Sequence, residues 1–268
     1  MSLLVKRWNK AVWVLWVGLV CALPLTSVPL VAKLTRTESV APGSLLFLVP
    51  LVLILIPGIF ILKKRLPFHS KPVLLFFLFS FISIFMALFR NVPDFKDQGI
   101  NAAAVEGAVT LGIGLLFFLV SLSVPNDVPR IEKTLRILNW VGLVLIAWSI
   151  AAVLIKQFIP GLRPLVNEIQ SIFSVTRVTR TRMTGFASEP SWLAHMLNLV
   201  FLPYWLAATF RKTSSHHWKI WKLTFENILL LGGTIVLVGT FSRGGLAAFM
   251  LVIAFLFVIF KIRLIRWL

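Results

Sequence analysis

The chain has 268 residues, 59% of them hydrophobic and 13% charged, with a mean hydropathy of +0.94. That composition excludes a soluble domain, because the apolar residues fall in runs long enough to cross a bilayer, which takes about 20 residues each. The net charge of +18 would point to nucleic acid in a soluble protein, but here the cations cluster between apolar runs, and no nucleic-acid partner is expected.

Eight runs are predicted as membrane helices, roughly 11–32, 44–62, 72–89, 102–123, 137–159, 190–209, 223–241 and 244–260. They are continuous and lack a period of two, which excludes a β-barrel. In lipid the backbone must bond to itself, so each run is a helix. The expected fold is an all-α, polytopic helical bundle, one integral membrane domain over 1–268.

The first run follows Lys6, Arg7 and Lys10. It is long, carries Pro24 and Pro29, and lacks a small-x-small cleavage site before Lys33, so it reads as a retained signal anchor and not a cleaved signal peptide. Cys21, the single cysteine, lies inside it, so no intrachain disulfide can form. With the N-terminus inside, 17 of the 27 basic residues fall in alternate, cytoplasmic loops, among them Lys63–Lys71 and Lys261–Arg266 at the cytoplasmic C-terminus. Those charges anchor topology and meet anionic lipid. The outer segments are then 33–43, 90–101, 160–189 and the tight join at 242–244.

Within the fourth run, Glu106 is an intramembrane carboxylate near the outer surface, either functional or paired with an arginine. Gly112 and Gly114 are expected to let helices pack closely. Pro125–Pro129 punctuates an inner loop, and 131–139 is expected to continue as an interfacial helical turn.

The outer loop 160–189 is the only long one. It carries Arg163, Arg177, Arg180 and Arg182 and runs into Gly185-Phe-Ala-Ser-Glu-Pro-Ser191. Pro190 suits a first helical turn, and Ser188 or Glu189 can cap it. Arginines beside free backbone N–H groups at a helix start suit a phosphate, which arginine can hold bidentately. The alternative is a capped helix whose arginines anchor to lipid headgroups. His195, one turn beyond Ser191, either approaches this site or packs.

On the inner side, His216 and His217 have no Cys, Asp or Glu nearby to build a metal site, and Glu226 is expected to pair with Lys222 at the interface. Thr240-Phe-Ser-Arg-Gly-Gly245 joins the last two runs. Ser242 can cap the eighth helix, and Arg243 lies on the same outer face as Arg182, as a ligand residue or as a snorkelling anchor. No nucleotide loop, Ser/His/Asp set or metal-ligand spacing occurs, and no cofactor is expected.

The pattern Arg182-x-x-Gly185-x-x-x-Glu189-Pro190-Ser191-x-x-Ala194, followed two helices later by Ser242-Arg243-Gly-Gly, resembles the O-antigen polymerase and O-antigen ligase superfamily of bacterial membrane glycosyltransferases, over roughly residues 70–268. The resemblance implies a polyprenyl-diphosphate-linked glycan as donor and transfer outside the bacterial cytoplasmic membrane. It also implies diphosphate contacts from Arg182 and Arg243, which Arg177, Arg180, Ser191 and Ser242 are placed to join. Members usually continue with further helices and a large outer loop bearing a histidine; this chain ends at Leu268, as a truncated chain or a divergent member would.

In such a transfer, arginines can stabilise the leaving diphosphate without a metal. The acceptor hydroxyl still needs a base; Glu189 is the first candidate, Glu106 the second and His195 the third. Expected partners are the lipid-linked glycan, membrane lipids and other polysaccharide-assembly membrane proteins. Two rivals stand beside this reading: a transporter or flippase of a lipid-linked or anionic solute, and a structural membrane subunit. A transporter is expected to show paired repeats with broken helices near mid-membrane, and no repeat is visible.

Overall fold

The computed structural model describes residues 3–35, 41–61, 70–89, 99–216, 219–221 and 223–267. Most of the 63–71 segment, expected as a cytoplasmic loop, lies outside them, together with His217 and Lys222. The described chain is mostly helical: α1 (Leu3–Ala22), α2 (Pro29–Thr35), α3 (Leu45–Ile61), α4 (Lys71–Ala87), α5 (Ile100–Ser123), α6 (Val128–Phe158), α7 (Arg163–Phe173), α8 (Pro190–Met196), α9 (Leu202–Arg211), α10 (Phe225–Gly239) and α11 (Arg243–Trp267). A π-helical turn, Leu197–Phe201, joins α8 to α9 in one rod, Pro190–Arg211. Among the described residues, three helices are long and apolar enough to cross a membrane: α5, α6 and that rod.

Each predicted run contains helix, with two corrections. The first run is not one helix: α1 ends at Ala22, and α2 begins at Pro29. Pro24 and Pro29 lack the N–H that would continue the ladder, and the backbone between them bonds elsewhere, with Val28 N donating to Ala41 O at 2.8 Å. The fifth run is longer than predicted, because 131–139 belongs to α6. At 31 residues and about 1.5 Å per residue, α6 outspans a hydrocarbon core of about 30 Å, and its polar first turns account for the excess.

The chain forms two compact units, residues 1–16 with 47–131 and residues 17–46 with 132–268. In the first, α4 packs on α5, yet no side chain of α4 is buried. Lipid is as apolar as leucine, so such a surface needs no protein cover. The expected close packing at Gly112 and Gly114 does not occur among the described residues: none of them comes within 4 Å of a Cβ built on Gly112, and Gly114 makes only ordinary contact with Phe77.

Close packing occurs instead in the second unit, around the fully buried Trp205 of α9. A Cβ on Gly142 would stand 2.5 Å from its ring, and one on Gly233 2.7 Å. Those two glycines on α6 and α10 make the slot, and the indole Nε1 donates to Asn139 Oδ1 at 2.8 Å.

Lys222 lies outside the described residues, and the structure places its expected partner, Glu226, in the interior. Glu226 is fully buried, and its described partners are neutral donors. Ser214 Oγ donates to Oε2 at 2.6 Å, while Ser215 N, Ser215 Oγ, Asn139 Nδ2 and Tyr204 OH donate to Oε1 at 2.9, 2.8, 3.0 and 3.3 Å. A carboxylate offers about four lone-pair sites and no proton, so it alone of the side chains can gather this many donors. The hub fixes the short connection between α9 and α10, which also carries a minimal hairpin, Lys219–Ile220 against Leu223–Thr224.

Candidate anion site

Residues 160–189, expected as one long loop, contain a helix. Their first third is α7, a strongly amphipathic helix started by Pro164, with Val166 and Gln170 buried. The signal was available: Leu165, Val166, Ile169, Ile172 and Phe173 recur at three- and four-residue spacing. An amphipathic helix of this kind suits a membrane interface.

Residues 174–189 form a strap tied along its length. Near its start, Ser174 Oγ shares a hydrogen bond with Ser27 Oγ at 2.7 Å, and Val175 N donates to Ser27 O at 2.9 Å. Near its end, Ser188 N donates to Thr26 Oγ1 at 2.8 Å. Between these, Lys156 Nζ donates to Val178 O, and Gln170 Nε2 donates to Gly185 O at 3.0 Å. Trp148 stacks on Phe186, with ring centroids 5.7 Å apart. The break between α1 and α2 therefore places Thr26 and Ser27 where they clamp both ends of the strap.

Gly185 is where the strap passes closest to α6. Its φ is +55°, and a Cβ there would meet Leu145 Cδ1 at 2.8 Å and Ser149 Oγ at 2.9 Å. Left-handed backbone costs other residues about 1–2 kcal/mol, and the overlap adds to that. Gly185→Ala should therefore destabilise the protein by about 2 kcal/mol or more, seen as a lower thermal midpoint in lipid discs. Gly185→Asn should not rescue it, although asparagine tolerates this φ, because its Cβ meets the same atoms. An unchanged midpoint for either variant would contradict the strap geometry.

The predicted arginines divide between two places. Arg177 and Arg180 are exposed; with Arg163 they lie near enough to the buried Lys156 to act electrostatically on its ammonium. Arg163 Nε donates to Lys156 O at 2.7 Å, so the end of α6 and the start of α7 hold the cluster together. Neither Arg177 nor Arg180 makes a hydrogen bond or ion pair with a described residue. Four cations gathered without a carboxylate bonded to them make an anion site electrostatically favourable. Lys156 was not singled out in the sequence, because an apolar run hides a lysine at its last turn.

Arg182 turns the other way. Its Nε donates to Thr240 O at 2.9 Å, and the neighbouring Met183 N donates to Gly239 O at 2.8 Å. Thr240 ends α10 and lies three residues before Arg243, which is exposed on the first turn of α11. The same turn meets α8: a Cβ on Gly245 would stand 2.4 Å from Ala194 Cβ, and Asn198 Nδ2 donates to Gly245 O at 2.8 Å. Arg182, the turn before Arg243 and the first helix of the 190–211 rod thus belong to one neighbourhood, although they are up to about 60 residues apart in sequence.

The remaining candidates are placed as follows. Pro190 is the first residue of α8, as expected, and Glu189 precedes it in extended conformation. Glu189 makes no capping bond; its exposed carboxylate accepts from Ser191 Oγ at 3.0 Å. Ser242 is buried and caps α11 as expected, accepting from Gly245 N at 3.3 Å. His195 is exposed on α8, on the side that carries Trp192 and Leu199 and away from buried Leu193 and Ala194. Glu106 is exposed on α5, in the other compact unit.

No family model, curated protein or solved structure matches this chain.

Proposed function

We propose that this chain is a multi-pass protein of the bacterial cytoplasmic membrane that crosses it eight times, holds its strap on the outer face and binds a polyprenyl-diphosphate-linked glycan for transfer, in the manner of an O-antigen polymerase or ligase. The observation that carries the reading is the bond from Arg182 to the α10 end. It joins the basic strap to the Arg243 turn, the two patches on which the resemblance rests. Arg177 and Arg180, with hydrogen-bonding capacity left free, extend the cationic surface.

In this reaction the acceptor hydroxyl oxygen attacks the anomeric carbon, and the bond from that carbon to the diphosphate oxygen breaks. The diphosphate leaves with the electron pair, its charge met by the arginines. The hydroxyl proton passes to a base. Glu189 serves best, because its carboxylate is exposed at the α8 start within the same neighbourhood as Arg182; His195, exposed one turn beyond Ser191 on α8, is the other candidate.

Two experiments test the reading. In a Cys21→Ser background, a cysteine at Val175 should be labelled by an impermeant maleimide in intact spheroplasts, and one at Phe68 should not; the reverse pattern would remove the outer-face site. In reconstituted vesicles, a polyprenyl-diphosphate oligosaccharide should bind, with affinity falling as salt rises, and charge-removing replacement of Arg182 and Arg243 together should abolish binding. Undiminished binding by that double variant would refute the reading.

A further inference from the structure

Beside the cation cluster, between the polar side of α7 and the start of the strap, lies a cavity of about 390 Å³. Its lining is chemically mixed: the carboxamide of Asn167, the carboxylate of Glu168, the guanidinium of Arg177 and the hydroxyls of Ser171, Ser174 and Thr176. The groove along α6, bordered by Trp140, Val144 and Phe186, is almost wholly apolar by contrast.

Three of the polar groups are unengaged. Asn167 Oδ1 is buried without a hydrogen-bond partner. Glu168 and Arg177 border the same space, yet their side chains bond neither to each other nor to any other described residue. Buried polar atoms are nearly always paired, and an exception calls for a missing partner. The hydroxyls hold the frame: Ser171 Oγ donates to Glu168 O at 2.7 Å, and Ser174 Oγ accepts from Thr176 N at 3.2 Å.

We infer that this cavity binds a single sugar ring of the glycan, held by Asn167, Glu168 and Arg177. A sugar hydroxyl both donates and accepts, and so matches a lining that offers a carboxylate acceptor, a guanidinium donor and an amide that is both. The volume lies at the low end for small-ligand pockets, enough for a ring but not for a lipid chain. Glu168 and Arg177 balance in charge, so a phosphate gains little here, whereas Lys156, Arg163 and Arg180 just beyond offer only positive charge. Arg177 belongs to both places, which puts a sugar next to an anion. That the sugar is part of a surface glycan rests on the function proposed above; the polarity of the pocket does not.

The test uses the whole chain in lipid nanodiscs, since sugar-headed detergents would compete. Saturation-transfer NMR with a panel of methyl hexopyranosides and methyl N-acetylhexosaminides should show transfer to at least one glycoside. Glu168→Gln and Asn167→Leu should each weaken apparent affinity about three- to ten-fold, the effect of one lost hydrogen bond, and the double variant should lose the signal. Pyrophosphate binding, measured by calorimetry on the same samples, should be unchanged, which also shows that the variants are folded. Absence of transfer to every glycoside, a full signal from the double variant, or displacement of the glycoside by pyrophosphate would each overturn the assignment. Pyrophosphate binding without glycoside binding would remove this pocket and leave the diphosphate site standing; glycoside binding without pyrophosphate binding would do the opposite.

Discussion

On the function proposed above, Arg182→Lys should lower glycan transfer about ten- to a hundred-fold while leaving the amount of folded protein in the membrane unchanged. Both expectations start from the contact that Arg182 makes. Arg182 Nε is engaged by Thr240 O at 2.9 Å, a carbonyl at the end of α10 where a cation is favourable. A lysine ammonium can make that same bond, so the strap should stay attached. What lysine cannot do is bond the carbonyl with one edge of a planar group and present a second, two-pronged edge to a diphosphate. One charge-assisted hydrogen bond is worth about 1.5–3 kcal/mol, which sets the range. Transfer should be scored by complementing a loss of surface polysaccharide, or by chain extension in vesicles, with Arg182→Ala beside it. The alanine variant should also lower the thermal midpoint, because it removes one of the bonds that tie the strap. Full activity in the lysine variant would make Arg182 an anchor and leave the glycosyltransferase reading on resemblance alone.

Glu226→Ala should be among the most damaging single changes, costing about 3–5 kcal/mol of stability. Removing this carboxylate strips the acceptor from Ser214, Ser215, Asn139 and Tyr204 at once. Each buried donor left alone costs about 1–3 kcal/mol, although some will re-pair or find water. Glu226→Gln is the informative control. It keeps one acceptor oxygen, and Ser214 can turn its hydroxyl to accept from the new amide, so about 1–2 kcal/mol should be lost. Denaturant titration in mixed micelles would rank the three proteins; an alanine variant as stable as the glutamine one would show that the hub contributes little. Glu226 and Thr240 are 14 residues apart, about 21 Å along the α10 axis, so the glutamine variant should keep its transfer activity per folded molecule.

The membrane character of the chain and the approximate places of its helices were legible in the sequence, because lipid imposes one strong rule: long apolar runs must be helical. Pro190 at the start of α8 and Ser242 capping α11 were legible for the same kind of reason, since first-turn proline and hydroxyl caps are local chemistry. The π-helical turn, the insertion of Trp205 between Gly142 and Gly233, and the idle Gly112 were not, because which glycine meets a large neighbour depends on helices distant in sequence.

For the site, the sequence alone singled out the basic strap and the Arg243 turn, but pooled all the arginines as one group. Tertiary structure divided them: Arg177 and Arg180 gather near Lys156 and Arg163, and Arg182 reaches Thr240. It also showed that Thr26 and Ser27 clamp the strap and that Asn167 and Glu168 face a cavity with bonding capacity unused. The reason is physical. A run of charges announces itself in one dimension, whereas the partner of a hydrogen bond, and the absence of one, exists only after the chain has folded back on itself.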